Sequence, residues 1–213
     1  MAELRKQLRL YLVTDPQLCF GLGIAETARR AVAGGVTMVQ LRDKAVKTAE
    51  CIEMALALKQ ALAGTGVPII INDDVTAAVA ADVNGVHIGQ GDMSPGQARA
   101  ILGPDKIIGL SCETHQNVQT ADPAVVDYLG LGPVFGTATK IDHAQPIGFD
   151  GLARLVALSS LPKVAIGGLK SAHAPDVHAS GADGMAVVSA ICGQDDPCAA
   201  ARAFDFGKME HPA

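Results

Sequence analysis

Short runs of consecutive apolar residues, rich in Val and Ile, alternate along this chain with longer stretches in which Ala, Leu and Val recur at helical spacing. Runs such as VPIII, KVAI and MAVV are apolar at successive positions, the mark of strands covered on both faces. They predict eight strands, near residues 9–14, 38–42, 67–72, 85–89, 107–112, 128–132, 163–167 and 184–188. The stretches between and after them predict helices near 24–34, 47–63, 74–82, 95–102, 115–121, 149–159, 171–180 and 197–205, with AECIEMALALKQALA the clearest stripe. The turn phrases AGGVT, ADVNGV and ASGADG recur ahead of strands, a loose repeat of roughly 20–35 residues expected of successive βα units. Eight such units in 213 residues make one small α/β domain, a (β/α)8 barrel over residues 1–213 with a short tail near 207–213. An open doubly wound sheet is the alternative, weakened because no G-x-G-x-x-G follows the first strand.

The apolar runs end in polar clusters, and in such folds ligands sit beyond the carboxyl ends of the strands. Gln40, Arg42 and Lys44 alternate at the second strand's end, so an amide, a guanidinium and an ammonium share one side, while Asp43 faces the other way and reads as structural. Arg offers a planar fork for phosphate oxygens and Lys a point charge. Asn72, Asp73 and Asp74 follow the third run, and Asp74 reads as the cap of a helix starting near Val75. Asp92 follows the fourth. Neighbouring strands lie about 4.8 Å apart, so Asp73 and Asp92 would repel unless one is protonated or a cation lies between them. Oxygen ligands so few suit Mg²⁺, which keeps waters and takes phosphate oxygens as further ligands. Ser111 ends the fifth run. Thr137, Ala138, Thr139 and Lys140 follow the sixth, and could hold phosphate or form an ordinary polar loop. Gly167-Gly168 follow the seventh and Ser189 the eighth, where barrels often hold phosphate by backbone N–H groups. His87, inside its strand, reads as a packed, hydrogen-bonded residue, and His115, His143, His173, His178 and His211 as surface or capping residues.

Composition narrows the partners. The chain is 49% apolar but only 3% aromatic, with net charge −5, which argues against nucleic acid. Any cations that meet an anionic ligand must therefore be local. Five cysteines without a CxxC pair argue against a disulfide framework or a zinc site and favour a reducing cytoplasm. The N-terminal MAELRKQLRLYLV has charges among its apolar residues and too short an apolar run for a signal peptide or a membrane span, so no membrane partner is expected. The oligomeric state stays open, a homodimer among the options.

From YLVTD at 11–15 to VVSAI at 187–191 the chain resembles the thiamine-phosphate synthase family. The resemblance rests on QLRDK, INDD, GVHIGQGD, GLGPVFGTATK, AIGGL and GADGMAVVSAI in this order and spacing. It implies a (β/α)8 barrel, a transferase that joins hydroxymethylpyrimidine diphosphate to thiazole phosphate with release of pyrophosphate, and Mg²⁺ as cofactor. By motif, Gln40, Leu41, Arg42, Asp43, Lys44, Asn72, Ser111 and Lys140 would hold the pyrimidine diphosphate. Asp73 and Asp92 would hold Mg²⁺, and Thr137, Ala138, Thr139, Gly168, Val188 and Ser189 the thiazole phosphate. Arg42, Lys44, Lys140 and Ser111 would act on the leaving diphosphate. One position departs: the family usually has Ser, a small residue, His and Thr, where this chain has Ser111-Cys112-Glu113-Thr114. A thiazole tautomerase of the same fold and a non-catalytic phosphate-binding barrel are the competing readings. The first needs a proton carrier in place of the missing histidine, and neither has a use for the carboxylate pair.

Overall fold

The computed structural model describes residues 1–136 and 145–206. It opens with a short helix, α1 (Ala2–Gln7), and then alternates. The strands are β1 (Leu10–Val13), β2 (Met38–Leu41), β3 (Ile69–Asn72), β4 (Gly85–Ile88), β5 (Ile107–Cys112), β6 (Tyr128–Leu131), β7 (Lys163–Ala165) and β8 (Gly184–Val187). The helices are α2 (Ile24–Ala33), α3 (Thr48–Ala61), α4 (Val75–Ala80), α5 (Pro95–Leu102), α6 (His115–Thr120), α7 (Gly148–Val156), α8 (Ala174–Ala179) and α9 (Pro197–Arg202). All strands pair in parallel in chain order, and β8 returns to β1 with Tyr11 opposite Ala186. The sheet is a closed (β/α)8 barrel, not an open one.

Period-two alternation divides each strand between two apolar layers. In β3, Ile69 and Ile71 join the outer layer with Leu10, Leu12, Val39 and Leu41, packed with helix residues such as Ala28, Ala55 and Leu58. Ile70 instead joins Leu8, Tyr11, Met38, Tyr128, Val164 and Ala186 inside the barrel. Four helices, α4, α5, α6 and α9, start on a side-chain cap: in α4 Asp74 accepts from the Ala77 N–H at 2.8 Å, as its sequence position predicts, and in α9 Asp196 accepts from the Cys198 N–H at 2.9 Å.

Three segments differ from the sequence expectation. The predicted helix over 171–180 is a 3-10 turn, Ser171–His173, followed by α8, because Pro175 lacks an N–H and sits best in a first helical turn. β7 stops at Ala165, and Gly167 and Gly168 leave it with φ of 93° and 65°. α1 has no sequence signature; six residues do not hold a helix alone. Its anchors are tertiary. Leu4 packs on the interior cluster, and Arg5 donates to both carboxylate oxygens of buried Asp183 at 2.7 and 2.6 Å and to Ser160 O at 2.7 Å. Asp183 also accepts from the Lys163 N–H at 2.8 Å, tying α1 to β7 and β8. No helix among the described residues is long and apolar enough to cross a membrane.

Asp183→Ala removes three acceptor contacts and leaves the Arg5 guanidinium with Ser160 O but no carboxylate. The expected loss is about 2–3 kcal/mol of unfolding free energy by urea denaturation. A loss below about 0.5 kcal/mol, the range of ordinary surface substitutions, would mean that this closure does not hold the helix.

Candidate active site

Alternation brings Gln40, Arg42 and Lys44 to the inside of the barrel mouth, where they line one cavity with Asn72, Asp73, Asp92, Ser111, Gly168, Val188 and Ser189. Leu41 and Asp43 do not contribute side chains to it. Leu41 is buried in the layer between barrel and helices, and Asp43 accepts from the Ala45 N–H at 2.9 Å in the turn that follows. Thr137, Ala138, Thr139, Lys140 and His143 lie outside the described residues, as does the tail from 207 onward. The end of β2 is set by β1: Thr14 N–H donates to Gln40 O at 2.9 Å, and Arg42 N–H donates to the Thr14 hydroxyl at 3.1 Å.

Alternation would turn Asp73 away from the side that Asn72 takes. Instead both line the cavity, because Asp73 adopts φ of 62°, a left-handed conformation that Asp tolerates better than most residues. Its N–H is held by His87 O at 2.9 Å, and its carboxylate accepts from Asn72 Nδ2 at 2.6 Å. Asp92 folds back so that its carboxylate accepts from the Gly89 N–H at 2.7 Å. The two carboxyls come within hydrogen-bonding reach of one another. Burial, then the neighbouring Asp92, push the Asp73 carboxyl up to about 6, against a partial pull down from Lys44 and Asn72. Among the described residues no third His, Cys, Asp or Glu joins them in a cluster fit for a metal. The pair therefore carries the sign and the oxygen chemistry of a site for a hard cation that keeps most of its ligands from elsewhere.

The floor of the cavity is a chain of buried polar side chains. Gln40 Nε2 donates to Tyr11 Oη at 2.7 Å, Tyr11 Oη meets Tyr128 Oη at 2.9 Å, Tyr128 Oη meets His87 Nδ1 at 2.9 Å, and His87 Nε2 meets Ser111 Oγ at 2.9 Å. Five strands contribute one residue each. Two glycines make the room: a Cβ on Gly109 would lie 2.5 Å from His87 Nδ1 and one on Gly130 3.0 Å from His87 Cε1. His87 is thus packed and hydrogen-bonded, as its place inside a strand suggests, yet it also lines the cavity. Tyr11, Ile166, Ala186 and Glu113 line it as well. Of these the sequence pattern marks only Glu113, as a departure beside the diphosphate groups. Tyr11 sits opposite Met38, two register positions from Gln40, and nothing in its own strand marks it for the site. On the far wall Gly167 and Gly168 turn against Pro133 and Phe135; a Cβ on Gly168 would meet Gly136 O at 2.6 Å, so the backbone there stays bare. His173 is a capping residue, as expected: its Nδ1 accepts from the Lys170 N–H at 3.1 Å, and its ring lies 4.8 Å from Phe135 and 5.9 Å from Phe149.

The Asp73 carboxyl has a stability consequence. Its folded value lies above the ordinary 3.8, so the proton it takes up in the folded state stabilises the protein fully below about pH 4, and that contribution is lost as pH rises through about 6. Asp73→Asn removes the loss. In chelator the variant is expected to gain on the order of 1 kcal/mol relative to the unsubstituted protein between pH 4.5 and pH 7.5, the shift being discounted for the solvent that screens a partly exposed carboxyl. Parallel pH profiles of the two proteins in urea denaturation would contradict the shared proton.

With this geometry in place, comparisons with known proteins agree with one another. A family model described as thiamine monophosphate synthase matches residues 10–191. A thiamine-phosphate synthase of Psychrobacter sp. is 52% identical over 197 residues, covering 91% of this chain and 92% of that one. Another, from Xanthobacter autotrophicus, is also 52% identical, with 92% and 93% covered. Among solved structures, a thiamine phosphate pyrophosphorylase from Pyrococcus furiosus superposes with a TM-score of 0.85 at 35% identity, over 94% of this chain and 95% of that one. A match over nearly the whole barrel, spanning all eight strand ends that build the cavity, leaves no part of the site outside it: the chain belongs to the thiamine monophosphate synthase family.

Proposed function

We propose that this cavity joins a hydroxymethylpyrimidine diphosphate to a thiazole phosphate and releases pyrophosphate, the reaction of a thiamine-phosphate synthase, as family membership indicates. The observation that carries the site reading is the pair of distinct anion-binding sets that line one cavity. Arg42 and Lys44 stand at the end of β2, and the bare backbone of Gly167-Gly168 with Ser189 follows β7 and β8. Two anionic ends of a substrate pair would each find cations or N–H groups there.

In this reading the bond between the pyrimidine methylene and the diphosphate oxygen breaks, and its electron pair leaves on the diphosphate. The thiazole nitrogen lone pair then forms the new carbon–nitrogen bond. Arg42 holds diphosphate oxygens through its fork, Lys44 and Lys140 add charge, and Ser111 donates from the cavity floor, so that charge developing on the leaving group meets preorganised donors. Asn72 orients the Asp73 carboxylate. Thr137, Thr139, Gly168, Val188 and Ser189 hold the thiazole phosphate. The pair Asp73 and Asp92 fits Mg²⁺, since two carboxylates that otherwise share a proton relieve their repulsion on a divalent cation. When bound, the ion would add positive charge at the leaving diphosphate. No side-chain nucleophile is required. The free thiols at all five cysteines suit a reducing compartment, and we place the reaction in the cytoplasm.

The test is pyrophosphate release from purified protein. It is expected only when both substrates and Mg²⁺ are present. Isomerisation of the thiazole alone, without metal and without pyrophosphate, would instead indicate a tautomerase. Arg42→Lys keeps the charge but loses the fork, and is expected to lower kcat/KM by roughly 10- to 100-fold, equivalent to about 1–3 kcal/mol. Asp73→Ala and Asp92→Ala are each expected to remove most activity at limiting Mg²⁺ while circular dichroism stays unchanged. Near-normal rates in either variant would overturn the metal assignment.

A further inference from the structure

The buried chain on the cavity floor has a direction, and one end sets it. Each phenol has a single proton, and neutral imidazole has one N–H and one bare nitrogen. Gln40 presents Nε2, a donor, to Tyr11 Oη. Tyr11 therefore accepts there and has its own proton to place on Tyr128, its other partner in the chain. Tyr128, having accepted, passes its proton toward His87 Nδ1. Nδ1 is then the bare nitrogen, Nε2 carries the hydrogen, and Nε2–H donates to Ser111 Oγ. Ser111 is left with its own O–H to offer to the cavity it lines. We propose that Gln40 fixes the proton order of this chain, so that Tyr11, Tyr128 and His87 act as positioning residues that hold Ser111 as a hydrogen-bond donor to substrate. The role given to Ser111's proton rests on the diphosphate reading above; the proton order does not.

Reversing the Gln40 amide would reverse every link. An acceptor at position 40 would take the Tyr11 proton, Tyr11 would accept from Tyr128, His87 would carry its hydrogen on Nδ1, and Ser111 would turn its proton inward onto Nε2. The cavity would then meet a serine lone pair, which repels an anionic leaving group. Both tyrosines are wholly buried, and burial raises both phenols far above the ordinary range, so each keeps its one proton at working pH. The glycine slot around the imidazole leaves the ring little room to flip out of line. The same orientation leaves Gln40 Oε1 as an acceptor, so a ligand N–H presented there would reinforce the order that makes Ser111 a donor.

The deciding measurement is the tautomer of His87 in the ligand-free protein, read from ring ¹⁵N shifts of histidine-labelled material, the resonance being assigned by its absence in His87→Asn. The Nε2–H form is expected. Finding Nδ1–H in the unsubstituted protein overturns the proposal without any variant having to fold. Gln40→Glu places an acceptor at the head of the chain and is expected to switch His87 to Nδ1–H, whereas in Gln40→Glu combined with Tyr128→Phe the substitution at position 40 is expected to have no effect on the ring. A His87 tautomer that ignores position 40 while Tyr128 is intact also overturns it. In turnover, Tyr128→Phe is expected to lower kcat about tenfold with little change in KM, the size of one hydrogen bond. Ser111→Ala should then cost less in that background than alone. Additive losses would mean the tyrosine acts only through packing. If the protein makes no pyrophosphate at all, the tautomer result still stands or falls by itself, so failure of the substrate reading and failure of the proton order are separable.

Discussion

Five polar side chains lie buried in the barrel interior between an apolar floor and an open mouth, and each must take its hydrogen bond from another. Tyr11, Gln40, His87, Ser111 and Tyr128 are all less than a tenth exposed. A buried amide, hydroxyl or imidazole left without a partner costs about 1–3 kcal/mol, so five loose groups would consume a large part of the stability of a domain this size. Among the described residues no buried side-chain nitrogen or oxygen is left without a partner. Satisfying them together fixes ring orientations on β1, β4 and β6 and rotamers on β2 and β5. That shared requirement makes the floor of the site rigid before any ligand arrives.

Above that floor the electrostatics run the other way. Asp73 and Asp92 are held close enough to share a proton, an arrangement that lowers stability at neutral pH in isolation. The backbone is turned into a left-handed conformation to achieve it. Strain and like-charge proximity in one place are what a binding site stores and a merely structural loop avoids. In a chain of net charge −5, the cations that line the same cavity, Arg42 and Lys44, give the mouth a local balance that the whole surface lacks. Glu113, also in the cavity wall, adds a further acidic group.

The two halves of the site differ in how they are built. On the β2–β5 side, side chains do the work and strand alternation aims them. On the β7–β8 side, backbone does it: Gly167 and Gly168 pack so tightly against Pro133, Phe135 and Gly136 that no side chain fits. The ring cluster of Phe135, Phe149 and His173 supports that wall from beneath.

Much of the fold was legible in the chain because its signals are local. Eight apolar runs and the cap at Asp74 each depend on neighbours a few residues away, and the structure has all of them. So does the inward alternation of Gln40, Arg42 and Lys44, since a strand's period is a property of its own backbone. α3 forms as a helix but buries only Ala55 and Leu58 and leaves Leu56 exposed, so its apolar residues are not the single stripe its sequence suggests. What the sequence could not determine depends on residues far apart. α1 exists because Arg5 meets Asp183 across 178 positions. Asp73 enters the cavity because His87 O holds its N–H and its φ departs from the strand. Tyr11 and Tyr128, ordinary β-strand aromatics by pattern, become the centre of a polar chain only once closure of the barrel brings β1, β4 and β6 around a common axis. Sequence periodicity decides which face a side chain takes. Which partner it finds on that face is decided by the closed barrel, because near-complete burial leaves each polar group little water to bond and closure sets neighbours from other strands within its reach.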